Sequence, residues 1–218
     1  MNIDFFPNSE ETYKNIPSPT SAKNFIPQWY KDIKPSEEFN VKNCMPFLDT
    51  LSSGYIQTTW ADIYVEKTDN SFTIHHEESI PLFKNRDVSD INIAHLFYPI
   101  EFVWQRYWSV KLPKGYSALV THPLNRYDLP FVTLSGIVDF DSYSNVQVGS
   151  LPFYLYKDFE GLIPKGTPMF QIIPIKREDW TAVKNEYDQK SWDEKISVFS
   201  DLKSGVYKKM FWQKKSFE

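Results

Sequence analysis

The sequence predicts a mainly β fold, a barrel or distorted sandwich carrying a proline-rich N-terminal arm and C-terminal helices. Three observations predict it. Runs rich in β-branched and aromatic residues recur between Gly54 and Pro174, separated by Gly, Pro, Asn and Asp turns. Prolines crowd the start of the chain, at Pro7, Pro17, Pro19, Pro27, Pro35 and Pro46, and none follows Pro174. Apolar residues at helical spacing dominate only the tail. The expected division is an extended arm with one short helix over residues 1–49, a β core over 50–176 and a helical segment over 177–218.

A proline fixes its own φ and turns its predecessor away from the helical region, so the arm should lie extended on the surface. One short helix is expected over 24–33, where Pro27 suits a first turn and Ile26, Trp29, Tyr30 and Ile33 form one apolar face. Strand character marks 55–65, 71–75, 107–112, 116–121, 131–139, 146–156 and 169–175. Residues 78–105, with Pro81, Pro99 and a charged stretch at 84–87, read as a long excursion. In the tail, Trp180, Val183 and Tyr187, then Trp192, Ile196, Phe199 and Leu202, predict helices over 177–187 and 192–203, with Ser191 a candidate cap.

Composition narrows the function classes. With 218 residues, 41% of them hydrophobic and 24% charged, the chain can bury a core without a disulfide or a structural metal. Subtracting 28 acidic from 24 basic residues gives −4, which argues against general nucleic-acid binding, since that needs a concentrated positive face. The single cysteine, Cys44, has no mate and suits a reducing compartment. No apolar run reaches the roughly 18 residues of a membrane span, and Met1, Asn2, Ile3 and Asp4 lack the basic and apolar segments of a signal peptide. A soluble cytoplasmic protein with no membrane partner is expected.

The residues that could carry chemistry gather in three stretches. Gly136 sits inside a strand run, where the lack of a side chain lets another group approach the backbone. Asp139 and Asp141 stand two apart and share a face if that strand continues, so a hairpin tip would present two hydrogen-bonding carboxylates. Gln171 is a polar residue within Met169, Phe170, Ile172 and Ile173, and a buried amide needs partners: it either knits the sheet or reaches a ligand. His122, next to Pro123, either caps a strand end or donates to an anion.

The order of these motifs resembles the dUTPase and dCTP deaminase superfamily, whose β-barrel subunits usually form trimers with nucleotide sites between neighbouring chains. Pro123, Leu124, Asn125 and Arg126 stand where that family carries a Pro-Arg-Ser-Gly type phosphate motif. Gly136, Ile137, Val138 and Asp139, with Tyr143, match its Gly-(Val/Ile)-Ile-Asp-x-x-Tyr hairpin, and the run from Gly166 to Gln171 matches its Gly-x-x-Ile-Ala-Gln strand. The resemblance covers about a quarter to a third of the chain.

It implies a dUTPase-like barrel, a homo-oligomer with a trimer favoured, and a nucleotide or nucleotide-like small anion as ligand. Asp139 would orient water if the chain catalyses diphosphate hydrolysis or deamination. Asp141 would read polar edges, Tyr143 would pack a sugar, and Arg126, His122, Asn125 and Gln171 would lie near phosphate, with Gly136 admitting the ligand. Mg²⁺ would accompany a bound phosphate. The departures matter: Arg126 lacks the following serine and glycine, and Lys208, Lys209, Lys214 and Lys215 stand where a Gly-rich closing segment is expected. A triphosphate needs several preorganised donors, so the implied activity is reduced or lost. The general look of the sequence also resembles proteins of tailed phages, which would place it in a host cell.

Other features carry less. His75 and His76 point to opposite faces of a strand and cannot converge on one metal without a turn; His95 reads as packing. The cluster Phe97, Tyr98, Phe102, Trp104, Tyr107 and Trp108 serves either as stacking platforms or, preferably, as core or interface. The alternative function is a structural or protein-interaction module with no small-molecule ligand, in which aromatics serve oligomer contacts and the acidic hairpin is a solvated turn.

Overall fold

Residue patterning turns into a set of short antiparallel elements. The computed structural model describes residues 1–35, 40–68, 71–86, 96–98, 100–143, 150–200 and 207–218. In chain order it begins with β1 (Asp4–Pro7), α1 (Glu10–Asn15), β2 (Thr20–Ser21), a 3-10 turn (Ala22–Phe25), α2 (Gln28–Asp32), a second 3-10 turn (Val41–Asn43) and α3 (Met45–Ser52). The first part of the chain is therefore not an extended arm around one short helix. Two of its prolines open helices: Pro27 precedes α2, and Pro46 lies in the first turn of α3, where a missing N–H costs nothing. The expected helix over 24–33 breaks at Ile26, whose ψ of 121° is the extended conformation imposed by Pro27. Ser9 caps α1 by accepting from the Thr12 amide, and the Trp108 indole donates to the Ile16 carbonyl at 3.2 Å, which stitches this region to the body.

The body follows as β3 (Tyr55–Thr58), β4 (Ile63–Thr68), β5 (Ser71–His75), β6 (Phe83–Arg86), β7 (Glu101–Gln105), β8 (Trp108–Lys111), β9 (Tyr116–Thr121), β10 (Phe131–Thr133), β11 (Gly136–Val138), β12 (Ser150–Leu155), β13 (Gly161–Ile163) and β14 (Pro168–Lys176). The fold is mainly β, as the strand runs predict. Among the described residues four antiparallel sheets result, ordered β11-β9-β14-β3-β2, β10-β12-β7-β6, β13-β4-β5 and β1-β8. Among the described residues they close no barrel, which corrects that half of the expectation. Two of the expected long strands break at corners, β3 from β4 and β10 from β11, and each break moves the chain into another sheet.

The sheets share one core. β14, apolar along most of its length, sits between β9 and β3 and is buried from Pro168 to Ile172, as a central strand must be. Trp104 stacks on Phe153 with ring centroids 3.6 Å apart, and Phe102, Trp104, Trp108 and Phe131 lie in the same core, so that part of the aromatic cluster is packing. The unreadable stretch 78–105 contains β6 and β7: β7 is buried on both faces and shows no alternation, while β6 is a charged edge strand. His95 lies outside the described residues.

The tail departs most from expectation. Residues 177–188 form no helix, and α4 (Gln189–Ser200) is capped by Asp188, whose carboxylate accepts from the Lys190 and Ser191 amides, rather than by Ser191. Trp180, Val183 and Tyr187 are 87%, 72% and 74% exposed, so no tertiary surface stabilises a helix there. A single π turn (Tyr207–Phe211) leads to an end that returns to the body. There the Trp212 indole and Lys215 reach the Asp49 carboxylate at 3.0 and 2.7 Å, and the Ser21 hydroxyl donates to the Phe217 carbonyl. No helix among the described residues is long and apolar enough to cross a membrane.

Candidate functional site

The antiparallel register between β11 and β9 sets Val138 against Ala118 and so brings Asp139 beside Ser117, whose hydroxyl donates to Asp139 Oδ1 at 2.5 Å. β14 runs on the other side of β9 and delivers Arg177 to the same place. The Arg177 guanidinium donates through Nη1 to the Tyr116 carbonyl (3.1 Å), Ser117 Oγ (3.1 Å), Asp139 Oδ1 (3.2 Å) and Asp141 Oδ1 (2.9 Å). Nη2 donates to Asp141 Oδ2, which also accepts from the Gly115 amide at 2.8 Å. Asp139 and Asp141 do converge, and both meet an arginine that the sequence reading missed.

Their environments differ. The Asp141 side chain is 4% exposed and that of Asp139 58%. Hydrogen bonds from Arg177, then from the Gly115 amide, hold the Asp141 carboxyl far below the usual carboxylate range, and Asp141 in turn holds Arg177 firmly charged. Asp141 is thus a structural counter-ion. Asp139 lines an open depression of about 540 Å³ with Ser117, Ile137, Ile175, Arg177 and Asp179. Tyr143, whose amide donates to the Asp139 carbonyl at 2.8 Å, is 53% exposed, and a Cβ added at Gly136 would meet nothing within 4 Å.

The remaining candidates gather at the other end of β9. Ser117 and Thr121 are four residues apart in that strand, about 13 Å of rise. Gln171 is 1% exposed; its amide donates to the Thr50 and Ser53 carbonyls at 3.0 and 2.6 Å and accepts from the Leu124 amide at 2.8 Å. It knits α3 and the 123–126 turn to the sheet. Arg126, 12% exposed in its side chain, grips the Asp128 carboxylate through Nε and Nη2 at 2.8 and 2.9 Å and reaches the Phe25 carbonyl. Asn125 adopts a left-handed φ of 58° and donates to Thr50 Oγ1.

His122 is equally engaged. Its Nε2 meets the Arg126 carbonyl at 3.1 Å and its Nδ1 accepts from the Thr133 amide, an arrangement that fits the neutral ring, and burial lowers its pKa. The space beside this cluster between Phe25, Leu51, Pro123, Arg126 and Gln171 is about 10 Å³, too little for a ligand.

Metal chemistry finds a poor donor set here. Asp141 is committed to Arg177 and Gly115, and Asp139 lies against the same guanidinium, so a magnesium ion would meet a fixed cation beside one half-free carboxylate. The residues do not fit that ion. Among the described residues no three His, Cys, Asp or Glu side chains group as metal ligands. His75 stacks on Tyr64, and His76 Nε2 accepts from the Leu82 amide at 3.2 Å.

No family model matches the chain, and no curated protein matches it. Solved structures do. A dUTPase from phage phi11 of S. aureus aligns at a TM-score of 0.40 and 12% identity over 87% of this chain and 99% of that one. An aspartate-to-asparagine mutant of the phi11 enzyme, described for its coordination of a structural Mg(II) ion, aligns at 0.40 and 11% over the same shares. A mutant dUTPase of Staphylococcus bacteriophage 80alpha, solved with dUpNHpp, aligns at 0.38 and 11% over 86% of this chain and 90% of that one. At such identity and TM-score the likeness carries neither a ligand nor an activity across to this chain.

Proposed function

We propose that the chain is an interaction module that assembles with further copies of itself. One observation carries this reading: Trp180, Val183, Tyr187, Trp192 and Ile196, from 49% to 87% exposed, stand on one stretch that begins at the Arg177 clamp. Burying large apolar side chains is worth about 1.5–3 kcal/mol each, so leaving five in water within seventeen residues costs what an interface would recover. The stretch starts beside a strand edge that has no partner among the described residues. β11 ends the five-stranded sheet, exposes Ile137 at 68%, and lies against the start of the same stretch through Asp139 and Arg177. An apolar segment and a strand edge with no partner among the described residues are two different surfaces that complement each other, so one copy's segment can cover the next copy's edge, the head-to-tail contact by which a ring closes.

On this reading the depression at Asp139, walled by Ile137 and Ile175, is a seat for a neighbouring chain. Sedimentation velocity tests it: the protein is expected to run as a homo-oligomer, with a trimer favoured. The variant Trp180→Ser/Trp192→Ser/Ile196→Ser is expected to run as a monomer with unchanged far-UV circular dichroism. A monomeric parent protein at its highest soluble concentration would refute the reading.

A second reading keeps a nucleotide-like ligand in the depression, favoured by the exposed Asp139 oxygen beside Ser117 and by the solvent-facing Tyr143 ring. Arg126, His122, Asn125 and Gln171 would then act only through the turn they hold. Thermal shift against nucleotides, with and without Mg²⁺, separates the two: a rise abolished by Asp139→Asn belongs to the second reading alone.

A further inference from the structure

We propose that the turn Tyr207–Phe211, with the lysines around it, docks the protein on an anionic lipid surface, lying on that surface without crossing it. Between residues 207 and 217 the chain has four lysines, Lys208, Lys209, Lys214 and Lys215, and no Asp or Glu, although its net charge is −4. All four lysines are exposed. Interleaved with them, Tyr207, Met210 and Phe211 are 44%, 53% and 51% exposed. This segment is separate from the apolar stretch over 180–196, so the proposal goes beyond self-assembly and stands without it.

The segment is held in place. The Trp212 amide donates to the Tyr207 carbonyl at 2.8 Å and closes the π turn, while the Trp212 indole and Lys215 fix the residues that follow to the Asp49 carboxylate. Apolar tips and lysines are therefore presented together on an ordered backbone, and docking has little further chain to immobilise. The mixture of side chains selects the partner. Lysine is depleted from the cores of protein interfaces, which disfavours a second protein chain. A nucleic acid would engage the lysines and stack a base on a ring, but it offers Met210, which has no ring, nothing to enter. A bilayer surface takes both kinds of group. Its phosphates attract the ammonium heads, whose stems lie along the apolar tips, and the acyl boundary accepts Met210, Phe211 and the Tyr207 ring. Five residues are far too few to span a bilayer, so the turn rests at the headgroup level.

The test is co-sedimentation of the whole protein with vesicles of phosphatidylcholine alone and of phosphatidylcholine carrying about one-third phosphatidylglycerol, at fixed ionic strength. Partition into the anionic vesicles above that into the neutral ones, falling as salt rises, is expected. Lys208→Gln/Lys209→Gln removes two attracting charges and is expected to weaken partition about thirtyfold. Met210→Ser/Phe211→Ser keeps every charge and is expected to weaken it about tenfold or more. If that variant does not fold, Met210→Ser alone, at a side chain more than half exposed, decides. Equal partition into the two kinds of vesicle, no partition into either, or an undiminished response in either variant overturns the proposal. Tighter binding to a single-stranded oligonucleotide than to the anionic vesicles also overturns it, because the lysines would then serve a nucleic acid.

Discussion

His122 shows how a histidine read as a possible anion donor becomes a strut. Neutral, it bridges the Arg126 carbonyl and the Thr133 amide; protonated, its Nδ1–H would face the Thr133 N–H. Because burial sets its folded pKa below the ordinary 6.5, the unfolded chain binds more protons in the interval between the two values. The stability His122 contributes is therefore complete above about pH 6.5 and is lost as pH falls through the folded pKa. His76, also lowered by burial, contributes in the same direction, so the comparison must be with a His122 variant. Urea unfolding between pH 7 and pH 5 is expected to weaken the parent protein more than His122→Gln; parallel pH profiles would contradict the assignment. The carboxylates divide along the same line. Their two-residue spacing made the pair legible in sequence, but Arg177, thirty-six positions beyond Asp141, becomes their partner only through the pairing of β9 with β14. No local pattern encodes that register.

At the scale of elements, strand runs with alternating or wholly apolar character emerged as strands, because β-branched and aromatic residues suit a pleated, half-buried surface whatever the topology. What stayed hidden has definite causes. β6 and β7 were lost in a charged, proline-bounded stretch, and β13 has only three residues. Helical spacing at Trp180, Val183 and Tyr187 produced no helix, since periodicity stabilises one only when its apolar face finds a surface. The junction of α3 with β3 depends on Gly54, which has a φ of +70° and whose added Cβ would lie 2.1 Å from the Ile172 carbonyl oxygen. Gly54→Ala must shift the central strand β14, and a loss of at least about 2 kcal/mol is expected in urea unfolding. An undiminished midpoint would mean that the α3–β3 junction is not held against β14 as described.

For the whole molecule, the two borders of the five-stranded sheet are treated differently. The β2 side is covered by residues 212–217, through Ser21 with Phe217 and Asp49 with Trp212 and Lys215, while β11 has no strand partner on its outer side among the described residues and lies beside the start of the exposed apolar stretch that runs from residue 177 into α4. That asymmetry among the described residues makes self-assembly the central claim. Amide hydrogen exchange over residues 178–200, at protein concentrations above and below the oligomer's dissociation range, tests it most directly. Slow exchange of these amides in the concentrated protein and fast exchange on dilution is the expected result. Equally fast exchange at both concentrations would contradict the claim.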